Sequence, residues 1–207
     1  MNAMFRYLLR AVSTLTLMGV FTASLVHAQD GLPLRIRGEI TGVSADTLSV
    51  HVNSGENIIL HLAKDLTVRA VSLANIEDIK PGSYIGSAAI PQADGSLKAL
   101  EVHVFPPELA GTGDGHRPFD LGKGSTMTNG SVGDLVVSNG RILTVNYKGG
   151  EKKIVVPEDV PIVNLAPGDR SLLKVGTKIV TSASQSDDGT LTASSISAGK
   201  DGLKPPM

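Results

Sequence analysis

The feature that most constrains this 207-residue chain is an internal echo at a spacing of 94 residues. Ile79-Lys80-Pro81-Gly82-Ser83-Tyr84-Ile85 returns as Leu173-Lys174-Val175-Gly176-Thr177-Lys178-Ile179, so that Lys80, Gly82 and Ile85 meet Lys174, Gly176 and Ile179. Asp94-Gly95-Ser96-Leu97 returns as Asp188-Gly189-Thr190-Leu191, and Asp65 returns as Asp159. Upstream, Gly38-Glu39-Ile40 faces Gly130-Ser131-Val132, the register sliding by a residue or two across the hairpin turns. Turn glycines and β-branched residues recur in one order, which predicts two copies of one unit, over 35–105 and 128–198.

Within a copy the pattern is that of β structure. Arg35 to Ile40 alternates, and Thr47 to Val52 places Leu48, Val50 and Val52 on one face. Asn53-Ser54-Gly55-Glu56 has the chemistry of a hairpin turn, and Ile58 to Leu62 returns from it. Leu73, Ile76 and Ile79, with Ser72 as a cap and Pro81-Gly82 as a stop, predict a short helix or 3₁₀ turn. Strands over 83–90 and 97–105 close the copy. The second repeats this as 130–137, 141–147, 152–156, a turn through Pro167-Gly168, then 177–184 and 190–197. The predicted fold class is all-β: two tandem small OB-like five-stranded barrels, each with a short helix or 3₁₀ turn, after a cleaved signal peptide. Pro106 to Met127 is then a Gly/Pro-rich linker and 199–207 a disordered tail.

The leader is read from the first 28 residues. Arg6 and Arg10 precede an apolar stretch from Ala11 to Val26, and Val26-His27-Ala28 supplies a small residue for cleavage. Such a signal directs the chain to the periplasm or beyond. Removing it takes two of the 19 basic residues and none of the 20 acidic ones, leaving a net charge of −3. No apolar run of about 18 residues follows, so no transmembrane helix is expected. Tyr84, Phe105, Phe119 and Tyr147 are too few for the aromatic girdles of an outer-membrane barrel or the stacking platforms of a nucleic-acid binder. With no cysteine, the chain has neither disulfides nor a thiol nucleophile.

The opening glycine strand, Asp46-Thr47-Leu48-Ser49-Val50, Ile79 to Ile85 and Asp94 to Val102 together resemble the small β domains of unknown function in bacterial exported proteins. The linker from Gly115 to Gly130 resembles the segment that joins two such domains in uncharacterised proteins of that group. The resemblance covers most of the chain after the leader, and it implies an exported, predominantly β protein with no established activity.

Two sets of residues could carry chemistry. In the linker, His116, Arg117, Phe119 and Asp120 form a candidate ligand or partner site, since a long polar loop is either functional or a connection. The bland reading has Phe119 and Leu121 docked on a barrel, with Arg117 and Asp120 hydrogen-bonded. The Gly122-Lys123 pair is no phosphate loop, because Gly124 follows it and Arg117 stands where the first glycine belongs. The second set is His51, His61 and His103 with Glu101, read as outward-facing. Pairing Val52 with Ile58 would make His51 and His61 diagonal neighbours about 7–8 Å apart at Cα, within reach of zinc or another divalent metal. No nucleophile elbow, calcium loop or close-spaced histidine pair supports catalysis or a strong metal site. The expectation is a non-enzymatic periplasmic binding or scaffold module, needing no cofactor, whose partner is a cell-envelope protein or other macromolecule and not nucleic acid. The alternative is a periplasmic metal or small-ligand binding protein.

Overall fold

Twelve strands carry the fold: β1 (Leu34–Val43), β2 (Thr47–Val52), β3 (Asn57–Leu73), β4 (Tyr84–Pro91), β5 (Leu97–Val104), β6 (Gly115–Pro118), β7 (Thr126–Val136), β8 (Ile142–Tyr147), β9 (Gly150–Val155), β10 (Ile162–Gly168), β11 (Lys178–Gln185) and β12 (Leu191–Gly199). The computed structural model describes residues 34–136 and 141–207, and the signal peptide expected over 1–28 lies outside them. Single 3₁₀ turns occur at Ile76–Asp78, Pro107–Leu109 and Arg170–Leu172. The protein is all-β, as its alternating pattern predicts.

Five strands close into a barrel. β1 pairs with β2, β2 with β3, β3 in parallel with β12, β12 with β11, and β11 with β1 again. The other seven strands continue the sheet, and among them β7, β8, β9, β5 and β4 also pair round a circuit back to β7. Each circuit takes three strands from one stretch and two from the other. The sequence expectation was that 35–105 and 128–198 would each close on itself. Instead β4 and β5 join the strands of the second stretch, while β11 and β12 join those of the first.

The cause lies in the length of β3. Its first part pairs with β2, but the strand is 17 residues long and runs on to Leu73. That extension pairs antiparallel with β10, Val71 opposite Leu165 at the centre. Thr67 to Val71 alternates as a strand should, yet the sequence reading had no strand there and took Pro167-Gly168 for a turn. Those residues end β10, opposite Val68 and Arg69. In the second stretch Pro157 and Pro161 interrupt the corresponding run, because proline cannot donate to a ladder, and it appears as β9 and β10.

The registers on the two sides correspond. Leu97 faces Ile154 and Leu191 faces Leu60; Val102 faces Ile162 and Ile196 faces Val68; in both cases each partner is displaced by 94. Bulges fall at Ala88/Ala89 and at Ser182/Ala183, again 94 apart. Each circuit encloses an aliphatic core. Ile36, Ile40, Leu48, Val50, Leu60, Ile179 and Ile196 fill the β1 barrel, and Ile79, Ile85, Leu97, Val102, Leu143, Val145, Ile154 and Ile162 fill the other. Each such side chain stabilises the fold by about 1.5–3 kcal/mol when fully buried. A smaller cluster of Val71, Val163, Leu165 and Met207, with Phe105 and Leu203 beside it, packs against the β3–β10 pair. Residues 199–207, expected as a disordered tail, are thus part of the fold. The Lys200 amide donates to the Val71 carbonyl at 2.9 Å and Met207 is buried.

Gly38 and Gly130 occupy corresponding places where backbones cross closely. A Cβ on Gly38 would collide with the His51 carbonyl oxygen, and one on Gly130 with that of Asn146. Neither obstacle is a movable side-chain end. Gly130→Ala is expected to lower unfolding free energy by about 1–3 kcal/mol in urea titrations. A Gly55→Ala control is strained instead by its positive φ, with open space around its Cβ.

Candidate functional site

β1 carries Arg35 and Arg37 on its outer face because Ile36, Gly38 and Ile40 point inward. The segment after β6 folds onto these two arginines. Arg37 donates from both terminal nitrogens to Asp120, at 3.0 Å and 2.9 Å, and Arg35 Nε lies 3.4 Å from the same carboxylate. The Arg35 guanidinium also sits 4.4 Å above the centre of the Phe119 ring, close enough for a cation–π contact. Hydrogen bonds from Arg37 hold the Asp120 carboxyl below its usual range, against partial burial, and the charges of Arg37 and Arg35 add to the effect. Burial works against the charge of Arg35, and Asp120 opposes it.

Upstream, the linker is held by polar contacts to the other circuit. The Tyr84 hydroxyl donates towards the Thr112 carbonyl at 3.3 Å and an Asp114 carboxylate oxygen at 3.4 Å. Burial, then the charge and hydrogen bond of Asp114, push the Tyr84 phenol up to about 12, so it stays a donor at neutral pH. Asn129 Nδ2 donates to the Thr112 carbonyl at 3.0 Å, and the Lys148 amide donates to Asp114 at 2.6 Å. β6 then pairs with β7, Gly115 opposite Asn129 and Pro118 opposite Thr126. His116 shares a 2.8 Å hydrogen bond with Thr128 Oγ1 and stacks on Tyr147; burial first, and then Lys152, lowers its pKa. Arg117 donates to the Gly113 carbonyl at 2.7 Å and is exposed.

The four linker candidates therefore lie along one path but do not converge on a single point. Phe119 and Asp120 grip β1, His116 leans on β7 and β8, and Arg117 faces solvent. Arg35 and Arg37, which complete the clamp, are absent from the sequence candidates. The signal was there: the alternation in Arg35-Ile36-Arg37 puts both cations on one outer face.

The histidines fall apart as a group. Val50, and not Val52, pairs with Ile58, so His51 faces Asn57 and His61 faces Thr47. Four residues of β3 separate those positions, about 13 Å along a strand. The 7–8 Å neighbourhood expected from the sequence is absent because the hairpin register differs by two. His51 and His61 are exposed, and His51 Nδ1 is 3.0 Å from Asn57 Oδ1. Glu101 and His103 do meet, Nδ1 to Oε2 at 3.0 Å, but they are buried and not on the open face expected for them. Glu101 also accepts the Ala88 amide at 2.8 Å, and Phe105 packs edge-on against the imidazole at 4.9 Å. A Cβ on Gly86 would strike His103 and Asn129, so glycine there makes room for the ring. Removing the imidazole would leave the buried Glu101 carboxyl without one of its hydrogen-bond partners.

Compared with protein-family models, curated proteins and solved structures, the chain matches none of them.

A carboxylate whose pKa is lowered by folding stabilises the fold above its unfolded pKa, and the contribution fades as pH falls through the folded value. The Asp120 side chain is half exposed, so solvent screening keeps its clamp to under about 1 kcal/mol. Melting curves of the wild type and Asp120→Asn should differ by a constant amount above about pH 5. The difference should close below about pH 4.

Proposed function

We propose that this protein is a non-enzymatic exported binding or scaffold module of the cell envelope, made of two OB-like barrels that arose by duplication of one unit. The repeated motifs and the common displacement of 94 in the ladders support duplication. The leader-like first 28 residues support export to the periplasm.

The observation that carries the binding role is the state of the Pro106–Ser125 segment. A polar stretch of this length with free ends would be a tether. Here it is tied at Thr112 and Asp114, paired through β6, and clamped at Phe119 and Asp120, while Arg117 remains exposed. A fixed polar ridge loses little entropy on meeting a partner, which favours recognition of a protein or other envelope macromolecule. The one carboxylate–imidazole pair among the described residues, Glu101 with His103, is enclosed by protein and ties β5 to the Ala88 amide of β4.

A photo-crosslinking residue placed at Arg117 is expected to give one reproducible adduct in intact cells. The same residue at exposed Glu158 is expected to give none. Absence of any adduct at 117, or the same mixture from both positions, would contradict the proposal.

A further inference from the structure

The two circuits correspond position for position around a groove that the β7 side fills with Thr112 to Pro118 and the β1 side only in part, where Lys204 and Pro205 wall a cleft and Met207 accepts from Arg37. In the ladders, Tyr84 faces Ser131, Ile85 faces Gly130 and Gly86 faces Asn129; Lys178 faces Glu39, Ile179 faces Gly38 and Val180 faces Arg37. Tyr84 thus corresponds to Lys178 and Asn129 to Arg37. On the next strands Asn146 faces Ser131 and His51 faces Glu39, so Lys148, two residues after Asn146, corresponds to Asn53.

On the β7 side, Tyr84, Asn129 and Lys148 hold Thr112 to Asp114, and the Asp114 carboxylate takes the Lys148 amide. The chain then adds β6 to the β7 edge. On the β1 side, no described strand pairs with Leu34 to Arg37 at the position β6 occupies on β7. Next to that edge, at the place that corresponds to the seat of Thr112 to Asp114, lies a cleft of about 240 Å³ with Arg37, Glu39, His51, Asn53, Lys178 and Lys204 among its walls. Lys178 and Arg37 stand where the filled groove has the neutral Tyr84 and Asn129, Asn53 stands where it has Lys148, and Lys204 joins from the last residues. Arg37 already donates to Met207 and Asp120, and the Asn53 amide to the Arg37 carbonyl. The charge open to a newcomer is that of Lys178 and Lys204.

We infer that this cleft binds an extended peptide segment of a partner protein, anchored by an aspartate or glutamate between Lys178 and Lys204 and laid along the edge of β1 that no described strand covers. The filled groove shows the geometry, a carboxylate followed by an added strand, and the basic walls set the sign of the ligand. Edge addition supplies affinity through main-chain hydrogen bonds, and the charged pair supplies selectivity. The inference deepens the binding-module reading and rests on it.

The test uses the exported protein, ¹⁵N-labelled, titrated with a blocked peptide copying Gly111–Pro118. Parallel titrations use the same peptide with its aspartate changed to asparagine, and succinate alone. The aspartate-bearing peptide is expected to shift the amides of Arg35, Gly38, Asn53 and Lys178, with binding weakened at least about tenfold by the asparagine version. Lys178→Glu should weaken it as much, and so should Lys204→Glu, which carries the test if the first variant folds poorly. Added salt should weaken binding, as exposed charges are screened. Shifts confined to other surfaces, none at millimolar peptide, or succinate binding as tightly as the peptide would overturn the inference. The last result would make the cleft a plain anion site. Failure here would leave crosslinking through Arg117 unaffected, so the two readings fail separately.

Discussion

The antiparallel pairing of β3 with β10 is the constraint on which the arrangement depends. Val71 opposite Leu165 lies at its centre, and Val163, Met207, Phe105 and Leu203 gather around it. Because β3 continues past the barrel it begins in, the chain is delivered to the far side before β4 starts. β10 does the same in the other direction ahead of β11. Two aliphatic cores result, each sealed by strands from both stretches, so neither can be lost without opening the other. The linker and the last residues then have fixed anchor points, Asp120 on Arg37 and Met207 on the same side chain. A segment with such anchors keeps one conformation where a loose connection would not.

The correspondence between the two circuits extends to the grooves beside them, which differ in what lines them. Gly38 and Gly130 impose the same close crossing on both circuits, so the same concavity forms beside each. The residues that line it differ. Tyr84 and Asn129 suit a neutral donor set that holds the chain's own Thr112 to Asp114, whereas Lys178 and Arg37 present charge. Gly86 opposite His103 is a further departure, since Val180 and Ser197 stand at the corresponding places and leave no buried pair there.

Most strand positions were legible because period-two alternation and Asn/Gly chemistry are local signals, but β6, β10 and β3 beyond Leu62 were not. Docking of Phe119 and Asp120 was legible too, as an aromatic and a carboxylate in a polar segment need partners. The exchange of strands was not. Leu97 meets Ile154 where self-closure would have given it Leu60, and the two aliphatic partners are chemically alike. A repeated unit offers the same interface to itself and to its copy, so pattern cannot choose between them. The hairpin register escaped for a related reason: a slip of two residues keeps every side chain on its own face. Only the pairing Val50 with Ile58 moves His51 away from His61. Burial of Glu101 and His103 was hidden because an outward position on one strand becomes an inward one when another layer covers it.

The central claim is that the two stretches are interlocked, and it is tested by separating them. Residues 29–105 and 106–207, produced as two polypeptides, would be followed by near-ultraviolet circular dichroism and urea unfolding, alone and mixed. Interlocking predicts no cooperative transition for either alone, and a one-to-one complex with a single sharp transition on mixing. Two monomeric fragments that each unfold cooperatively, and ignore one another when mixed, would contradict it.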